Sequence, residues 1–467
     1  MDWEKYYHAL PIIFQNLTCS LEGWRLGKSR FGGEFPKLLQ TAESRTFWDQ
    51  EEMQQYRDQR LYHFIRHCYD TVPFYRGRFQ KLGISPDDIK NLEDLRHLPI
   101  LSKSEVQDNY SDMVSEIVPR QKQLISHTSG TTGGGLRFAT TVAAIQEQWA
   151  IWWRYRHWHG IQMGTWCGYF GGRSIVPIAQ KTPPFWRYNY PGKQILFSGY
   201  HLSPDNLEAY VNELRQRRPP WLHGYPSLLT IVASHLLETE NDLGYRLQWV
   251  TIGAENLLPQ QSRIMEQAFG VRPLQHYGMA EAVANISECE YGTLHVDEDF
   301  AAVEFVPNWE GPGLKIVGTN FTNFATPLLR YDIEDIIKID ELLKCPCGRP
   351  GRIVAAVDGR KEDYIVLKHG ARLGRMDHIF KDLINIREAQ LYQSKPGEII
   401  VRVVRGNNFT KDDETMLLQE MRKRVGADTD IDIHYLESLP RSRIGKLRFV
   451  VSEISEGKLA KAELQGN

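Results

Sequence analysis

The segment at 126–135, Ser-His-Thr-Ser-Gly-Thr-Thr-Gly-Gly-Gly, combines hydroxyl side chains with four glycines. Glycines let a backbone come close to a phosphate with its N–H groups exposed, and Ser and Thr hydroxyls add further donors. No Gly-Lys-Ser/Thr closes the segment as in a Walker P-loop. On residue types alone, the segment is either a phosphate-binding loop or a flexible surface loop.

Three later segments complete a pattern. They are Tyr-Gly-Met-Ala-Glu at 277–281, Leu-Leu-Arg-Tyr-Asp-Ile-Glu-Asp-Ile at 328–336 and Leu-Pro-Arg-Ser-Arg-Ile-Gly-Lys at 439–446. Together with Ser-Gly-Thr-Thr-Gly at 129–133, in this order and rough spacing, they resemble the motifs of the adenylate-forming superfamily of acyl-CoA synthetases, adenylation domains and luciferases. Residues 69–75 and 98–103 resemble the N-terminal signature of its phenylacetate–CoA ligase branch, which includes relatives encoded with capsular polysaccharide genes. The resemblance therefore spans nearly the whole chain.

The resemblance implies ATP/AMP, Mg²⁺ and coenzyme A as cofactors, and it assigns roles to individual residues. The expected nucleotide-binding residues are Ser129, Gly130, Thr131, Thr132, Gly133, Gly253, Ala254, Glu255, Tyr277, Gly278, Met279, Ala280, Asp335 and Arg360. The expected catalytic residues are Lys446, Glu281 and Thr131. The tyrosine would lie against the adenine, Asp335 would bind the ribose hydroxyls, and Glu281 would hold magnesium at the phosphates.

These roles suit the side chains concerned. A hard cation bound to phosphates needs only one or two protein carboxylates, such as Glu281. The carboxylate of Asp335 can accept two O–H bonds at once, which suits a vicinal diol. The charge of Lys446 could stabilise the transition state at the α-phosphate. Each role has an ordinary structural alternative. Glu281 could be a solvated helix residue, Asp335 part of a charged strand edge, and Lys446 an isolated lysine in a basic loop.

Two positions depart from the family pattern. Gly134 and Gly135 follow the loop where relatives often have Lys or Pro, so one phosphate contact is lost. Asp332 stands where the family usually has Arg.

The segments 168–172 and 223–227 are expected to line the acyl pocket, or else to be turns with buried aromatic residues. The aromatic side chains in them favour an aromatic or otherwise apolar acyl group.

Four residues have the types and grouping of a structural zinc site. Cys345 and Cys347 form one knuckle, and Cys289 and His295 flank a turn around Gly292. Two thiolates from one knuckle with a Cys and a His from another would close a tetrahedral site. Isolated buried thiols are the alternative, because Cys-x-Cys spacing is tighter than usual. The remaining cysteines, Cys19, Cys68 and Cys167, have no neighbouring ligand pattern and are expected to be packing residues.

The elements that must position these residues predict an α/β fold. Apolar residues at helical spacing predict a helix over 61–69, and Ser102 and Glu105 have the spacing of a capping box that begins another helix. From residue 121 onward, short β-rich runs alternate with helical patterns, and this alternation favours a mostly parallel sheet. We predict a large multilayer α/β domain over 1–358 and a small mobile α+β domain over 359–467 that carries Lys446. Residues 358–363 resemble the hinge between such domains.

The composition is that of an ordinary globular protein. The chain has 467 residues, a formal net charge of −2 and six cysteines, so nothing in its charge favours nucleic acid as a partner. No signal peptide or long apolar run is visible, and we expect a cytoplasmic protein without membrane insertion. The sequence leaves the oligomeric state open, a dimer included.

The expected reaction is ATP-dependent activation of a carboxylic acid to an acyl-adenylate with release of pyrophosphate. The acyl group would then pass to a thiol, and coenzyme A is the expected acceptor. A carrier-protein thiol and an amine on a sugar stay open as acceptors. A catalytically idle nucleotide-binding assembly partner is the alternative from another class, although the presence of both Glu281 and Lys446 disfavours it. A zinc-knuckle nucleic-acid binder is disfavoured by the balanced charge.

Overall fold

The computed structural model describes residues 3–127, 136–308, 313–339, 343–358, 364–373, 376, 379, 385–406, 409–437, 439 and 449–454. It begins with six helices: α1 (Trp3–Ala9), α2 (Ile12–Phe31), α3 (Phe35–Ser44), α4 (Gln50–Thr71), α5 (Pro73–Leu82) and α6 (Lys103–Asp108). The predicted helix over 61–69 is the second half of α4. It ends before Pro73, which then begins α5, because proline fits the first turn of a helix but not its interior. The capping box of Ser102 and Glu105 begins α6 as predicted.

A short hairpin and a long helix follow. The hairpin strands are β1 (Leu124–His127) and β2 (Arg137–Thr140), which pair antiparallel, and the helix is α7 (Val142–Trp158). The Thr141 hydroxyl accepts a hydrogen bond from the Ala144 amide and caps this helix. The connection between the two strands, residues 128–135, lies outside the described residues.

A six-stranded sheet forms the centre of the first 280 residues. Its elements are β3 (Cys167–Gly171), β4 (Trp186–Asn189), β5 (Gln194–Ser198), α8 (Leu207–Arg217), β6 (Trp221–Gly224), α9 (Pro226–Glu238), β7 (Trp249–Ile252), α10 (Pro259–Phe269) and β8 (Pro273–Leu274). The strand order is β4-β5-β3-β6-β7-β8, and every pair is parallel except β4 with β5. One face packs on α8, α9 and α10 through Phe170, Leu222 and Val250. The other packs on α3 and α7 through Cys167 and Trp221.

Two antiparallel sheets follow. Their strands are β9 (His276–Gly278), β10 (Asn285–Glu288), β11 (Leu294–Val296), β12 (Ala301–Pro307), β13 (Leu314–Asn320), β14 (Tyr331–Lys338), β15 (Ile353–Val354) and β16 (Ala356–Asp358). The strand orders are β15-β11-β10-β9 and β12-β13-β14-β16. The prediction of a mostly parallel sheet is wrong for this region. Connections as short as that between β10 and β11 can join only antiparallel neighbours.

The C-terminal elements are β17 (Ile365–Val366), β18 (Arg372–Leu373), β19 (Ile386–Gln393), β20 (Glu398–Arg405), α11 (Lys411–Val425), β21 (Asp430–Tyr435) and β22 (Val450–Ser452). They include a sheet of order β21-β20-β19-β22. The helix α11 packs on that sheet through Leu417, Met421 and Val425. These strands and this helix form the small α+β unit that was predicted for the C-terminal part of the chain. The boundary between 358 and 359 stays a prediction, since 359–363 lie outside the described residues.

The predicted α/β class, with a large N-terminal part and a smaller C-terminal unit, is confirmed. Among the residues that the structure describes, no helix combines the length and apolar character needed to span a bilayer.

Candidate active site

The carboxyl ends of neighbouring parallel strands bring several predicted site residues to one edge. Gly253, Ala254 and Glu255 directly follow β7, and β9, which contains Tyr277 and Gly278, follows the adjacent strand β8. Ligands of open α/β sheets bind outside this edge. The structure therefore places both predicted adenine-binding segments where a ligand site is expected.

The first of these segments is held by a side chain that the sequence analysis assigned to the nucleotide. The Glu255 carboxylate accepts hydrogen bonds from the amide and the hydroxyl of Ser227, each at 3.0 Å. Ser227 lies in the first turn of α9, so Glu255 satisfies an N-terminal donor of that helix. Ala254 has a positive φ of 68°, a strained conformation for a residue with a Cβ atom. This pairing fixes the turn after β7.

Two of the predicted motifs meet through one hydrogen bond. The Tyr277 hydroxyl donates to Oδ2 of Asp335 at 2.8 Å, although the two residues are 58 positions apart in the chain. Tyr277 lies in β9 and Asp335 lies in β14, so the bond joins two different sheets. Both side chains are half-buried. The residues expected at the adenine and at the ribose are thus neighbours.

The turn that carries Glu281 is held from both sides. The Asn320 side-chain amide, at the end of β13, donates to the Glu281 carbonyl at 3.0 Å. The Gln148 side chain, from α7, donates to the Met279 carbonyl at 2.7 Å. Ala280, between them, is exposed and Glu281 is half-buried. Asn320 and Gln148 belong to no motif, and the sequence analysis missed both.

Gly278 allows close packing beneath this turn. A Cβ atom at this position would lie 2.8 Å from Oδ1 of Asn285, which accepts a hydrogen bond from the Trp152 indole at 2.9 Å. A larger residue would break that contact. The glycine of this motif therefore has a packing reason that is separate from any nucleotide.

The strand before Asp335 has an anchor that the sequence analysis did not find. Arg330 donates to both carboxylate oxygens of Glu304, at 2.9 and 2.7 Å, and also to the Leu98 carbonyl. Leu101 exchanges backbone hydrogen bonds with Arg330 and Asp332 at 2.8 and 3.0 Å. These contacts fasten the segment 98–101, part of the N-terminal signature, to the strand that carries Asp335.

Asp332 has a local partner. Its carboxylate accepts hydrogen bonds from the Glu334 amide at 2.8 Å and from Lys315 at 3.4 Å. Lys315 lies on the adjacent strand β13. The residue that departs from the family pattern is therefore engaged within its own sheet, and Asp335 is the acidic residue of this stretch that contacts Tyr277.

The remaining nucleotide and catalytic predictions fall on segments outside the description. They are Ser129, Gly130, Thr131, Thr132, Gly133, Arg360 and Lys446. Residues 129–133 lie between β1 and β2 in the chain. Strand β2 is held by two hydrogen bonds: the Ala139 amide donates to the Thr326 hydroxyl at 3.0 Å, and the Ala139 carbonyl accepts from the Asn323 side chain at 2.9 Å. The turn at 323–326 directly precedes the strand of Asp335. The roles of these residues stay predictions.

The four proposed zinc ligands form one cluster. The ligand atoms of Cys289, His295, Cys345 and Cys347 all lie within 4.8 Å of one another. The Cys289 and Cys345 sulfur atoms are 3.5 Å apart, and Cys347 Sγ lies 3.3 Å from His295 Nε2. Tetrahedral zinc at its usual bond lengths requires about 3.8 Å between sulfurs and about 3.5 Å from sulfur to nitrogen. The donor types and their spacing fit zinc.

The two segments expected to line the acyl pocket also meet. Tyr169 and His223 are register partners on β3 and β6, with ring centroids 5.6 Å apart. His223 Nδ1 lies 2.8 Å from the Thr251 hydroxyl. Burial, followed by the charge of Arg156, lowers the pKa of both His223 and His276 to about 3. Both imidazoles are therefore neutral at physiological pH.

Comparisons with known proteins agree with this architecture. Residues 366–453 match the model of the CapK C-terminal domain family. Protein CapK of Staphylococcus aureus is 26% identical over 455 residues, which cover 96% of this chain and 99% of that protein. The phenylacetate-coenzyme A ligase of Pseudomonas putida is 25% identical over 346 residues, covering 68% and 73%.

A solved structure shares the fold over most of the chain. It is 2-hydroxyisobutyryl-CoA ligase in complex with 2-HIB-AMP and CoA, with a TM-score of 0.55 at 18% identity, covering 91% of this chain and 94% of that one. The predicted resemblance to the phenylacetate–CoA ligases is confirmed, and the expected fold is confirmed with it.

Proposed function

We propose that this chain, a relative of the phenylacetate–CoA ligases, is an AMP-forming ligase that activates a carboxylic acid with ATP. The observation that carries the proposal is the hydrogen bond of 2.8 Å between Tyr277 and Asp335. It joins two of the nucleotide motifs at the carboxyl edge of the sheet, next to the turn of Glu281. This arrangement suits an adenosine held between the two sheets, with its phosphates near Glu281.

The first half-reaction uses the predicted residues as follows. A carboxylate oxygen of the acid attacks the α-phosphorus of ATP, the bond to the β-phosphate oxygen breaks, and pyrophosphate leaves. Asp335 binds the ribose hydroxyls, and the loop at 129–133 binds phosphate oxygens. Glu281 would hold magnesium, which would neutralise charge on the phosphates, and Lys446 would stabilise the charge that develops at the α-phosphate.

In the second half-reaction a thiol attacks the acyl carbon of the adenylate, the bond from that carbon to the phosphate oxygen breaks, and AMP leaves. Coenzyme A is the proposed acceptor. The ligase from Pseudomonas putida and the ligase of known structure are both named as CoA ligases. The similarity to CapK covers almost the whole of both chains, which keeps a carrier-protein thiol or an amino sugar as the alternative acceptor in polysaccharide biosynthesis. Pyrophosphate release with and without coenzyme A, followed by mass analysis of the acyl product, separates these acceptors.

We also propose that Cys289, His295, Cys345 and Cys347 bind one structural zinc ion. Four protein ligands leave no position open for a substrate, so the site is closed and not catalytic. The ion would fasten the knuckle at 345–347 to the hairpin of β10 and β11. That knuckle precedes β15 and β16, the last strands before the proposed hinge.

The test of the first half-reaction is a pyrophosphate-release screen over aryl, fatty, hydroxy and amino acids. With an accepted acid, Lys446→Ala and Glu281→Gln should each lower acid-dependent ATP–pyrophosphate exchange about 100-fold, the effect expected from losing one preorganised charge. Glu266→Gln is the matched control, because Glu266 is an exposed residue of α10. An exchange rate that both variants leave unchanged would reject the assigned roles. Nucleotide binding without exchange for any acid would favour the idle assembly partner.

A further inference from the structure

Helix α7, which packs on one face of the parallel sheet, carries a buried arginine that has no acidic partner among the described residues. Arg156, in the last turn of α7, is 9% exposed. Its guanidinium carbon lies 4.9 Å from the ring centroid of Trp153 and 5.6 Å from those of Trp149 and Trp221. These aromatic contacts stabilise the charge, but they offer no lone pairs to the N–H groups. Within the described part of the chain, Nε and Nη1 of Arg156 have no hydrogen-bond partner.

The same helix shows how this chain normally buries an arginine. Arg154, two residues earlier, donates to Asp297 at 2.7 Å and to Asp299 at 2.7 and 3.0 Å. In contrast, burial lowers the pKa of Arg156 to about 10, and the groups that oppose this shift are Tyr155, Cys167 and Tyr169, none of them a carboxylate. A buried charge without a partner is costly. Among the described residues, Arg154 thus has acidic partners and Arg156 has none.

Neighbouring polar groups also lack partners. The Tyr155 hydroxyl, Trp153 Nε1 and His276 Nε2 are buried and have no hydrogen-bond partner among the described residues. Tyr155 and Trp153 lie on the same helix as Arg156, and His276 packs on Tyr155 with ring centroids 5.1 Å apart. Buried polar atoms are rarely left unpaired in native proteins. A group of polar atoms without partners around one cation suits a ligand that offers hydrogen-bond acceptors.

A second arginine, Arg30, adds positive charge on the same tryptophan, Trp149, that Arg156 contacts. The Arg30 guanidinium, from the end of α2, lies 4.6 Å from the Trp149 ring centroid. Burial, followed by the nearby charge of Arg173, lowers the pKa of Arg30 to about 10. The acidic side chain in reach is Glu22, and its two carboxylate oxygens accept hydrogen bonds from Arg25 at 2.7 Å each. Arg30 has no ion pair in the part of the chain described here.

Arg156 lies close to residues that are expected to line the acyl pocket. The Arg156 guanidinium carbon lies 5.6 Å from the Trp221 ring centroid, which is 5.9 Å from that of His223. The His223 ring in turn faces Tyr169 across adjacent strands. A Cβ atom on Gly253 would lie 3.7 Å from Cε1 of His223. A continuous line of residues therefore runs from Gly253, in the predicted nucleotide-binding segment, through His223 to Arg156. An acid whose carboxylate reaches the nucleotide would extend along this line.

We propose that the acid substrate carries a second negatively charged group at its far end and that Arg156 binds this group. The inference rests on the proposed function, and it narrows the substrate from any carboxylic acid to a dianionic one. Aromatic rings along the pocket pack on the body of such a substrate, and the guanidinium donates two N–H hydrogen bonds to its distal anion. A purely apolar acid would leave Arg156 buried and unpaired.

The test compares monoacids with diacids of matched shape. Pyrophosphate release is measured for benzoate against terephthalate and for hexanoate against adipate. Wild-type protein should favour the diacid of at least one pair by tenfold or more in kcat/KM. In Arg156→Met, the ratio of diacid to monoacid kcat/KM should fall about 100-fold, as when a site loses its polar partner for a substrate group. Arg263→Met, on the exposed side of α10, is the matched control and should keep the ratio.

A binding measurement separates this inference from the proposed function. Calorimetry with terephthalate and adipate, without ATP, should show binding to the wild type that weakens at least tenfold in Arg156→Met. If no acid releases pyrophosphate but this loss of binding is seen, the proposed function fails and the anion site stands. If pyrophosphate is released with a monoacid preference that Arg156→Met leaves unchanged, the anion site is refuted. A lowered unfolding temperature of Arg156→Met with an unchanged preference would assign the arginine a packing role and would also refute it.

Discussion

At the scale of single residues, the Tyr277 hydroxyl positions the carboxylate that is proposed to bind the ribose. Asp335→Ala should raise the KM for ATP about 30-fold, because hydrogen bonds to a charged group contribute about 2 kcal/mol. Tyr277→Phe removes only the bond of 2.8 Å between the two side chains and should raise the KM less, by about fivefold. Steady-state pyrophosphate release at varied ATP measures both. Tyr291→Phe, at an exposed tyrosine, is the control. A KM that Asp335→Ala leaves unchanged would contradict the ribose assignment.

Two half-buried histidines, His223 and His276, make stability depend on pH. Burial lowers the pKa of His223 and His276 from 6.5 to about 3, so the folded protein keeps them neutral while the unfolded chain protonates them. Between pH 6.5 and 3 the unfolded state binds more protons, and the free energy of unfolding falls as the pH falls. The loss should be about 1 kcal/mol per pH unit for each histidine.

Urea denaturation at pH 7.5 and 5.5 measures this loss. His276→Gln should lose less stability between the two pH values than the wild type. His434→Gln, at a half-exposed residue, should match the wild type. Equal losses in His276→Gln and the wild type would show that His276 is protonated in the folded protein.

The sequence indicated which residues could act in the site, but it did not show which side chains contact each other. Glu281 and Asp335 were found because their neighbours resemble known motifs. The partners Glu304 of Arg330 and Ser227 of Glu255 are 26 and 28 positions away and follow no spacing rule. Likewise, nothing in the sequence around Arg156 shows that it lacks the carboxylates that Arg154 has. Such facts depend on tertiary packing.

At the scale of elements, the zinc cluster depends on a hairpin and a loop that meet. Cys289 follows β10 and His295 lies in β11, while Cys345 and Cys347 come from the connection after β14. The sequence grouped these four residues because Cys345 and Cys347 form one knuckle and Cys289 and His295 flank a turn, and their ligand atoms lie within 4.8 Å of one another. The zinc ion itself stays a prediction. The antiparallel pairing of β11 with β15, which draws the two parts together, was not predicted.

Protein purified without added zinc should contain about one zinc per chain by metal analysis. Cys345→Ser should retain much less zinc and unfold at a lower temperature, because metal binding contributes directly to folding. Cys19→Ser, at a cysteine outside the cluster, should keep the metal. Wild-type protein without metal, in which Cys289, Cys345 and Cys347 are all alkylated while folded, would refute the site.

At the scale of the whole molecule, three consecutive buried carboxylates after β11 connect the N-terminal helices to the antiparallel sheets. Asp297 pairs with Arg154, Asp299 pairs with Arg154 and Arg45, and Glu298 accepts from Arg57 at 3.0 Å and from Arg352 at 2.6 Å. The arginines come from the C-cap of α3, from α4 and α7, and from the segment before β15. A run of Asp-Glu-Asp in a sequence looks like a solvated turn, so the sequence analysis passed over this network.

Asp299 lies at the centre of the network, and its loss should affect the entire fold. Burial raises the pKa of Asp299, but the attraction of Arg154 and Arg45 outweighs this and holds it well below its usual range. Asp299→Asn leaves two buried guanidinium groups facing a neutral amide, which should lower the free energy of unfolding by about 3–5 kcal/mol. Chemical denaturation measures the change, with Asp205→Asn at an exposed site as the control. A loss below about 1 kcal/mol would mean that the helices are held to the sheets by apolar packing alone.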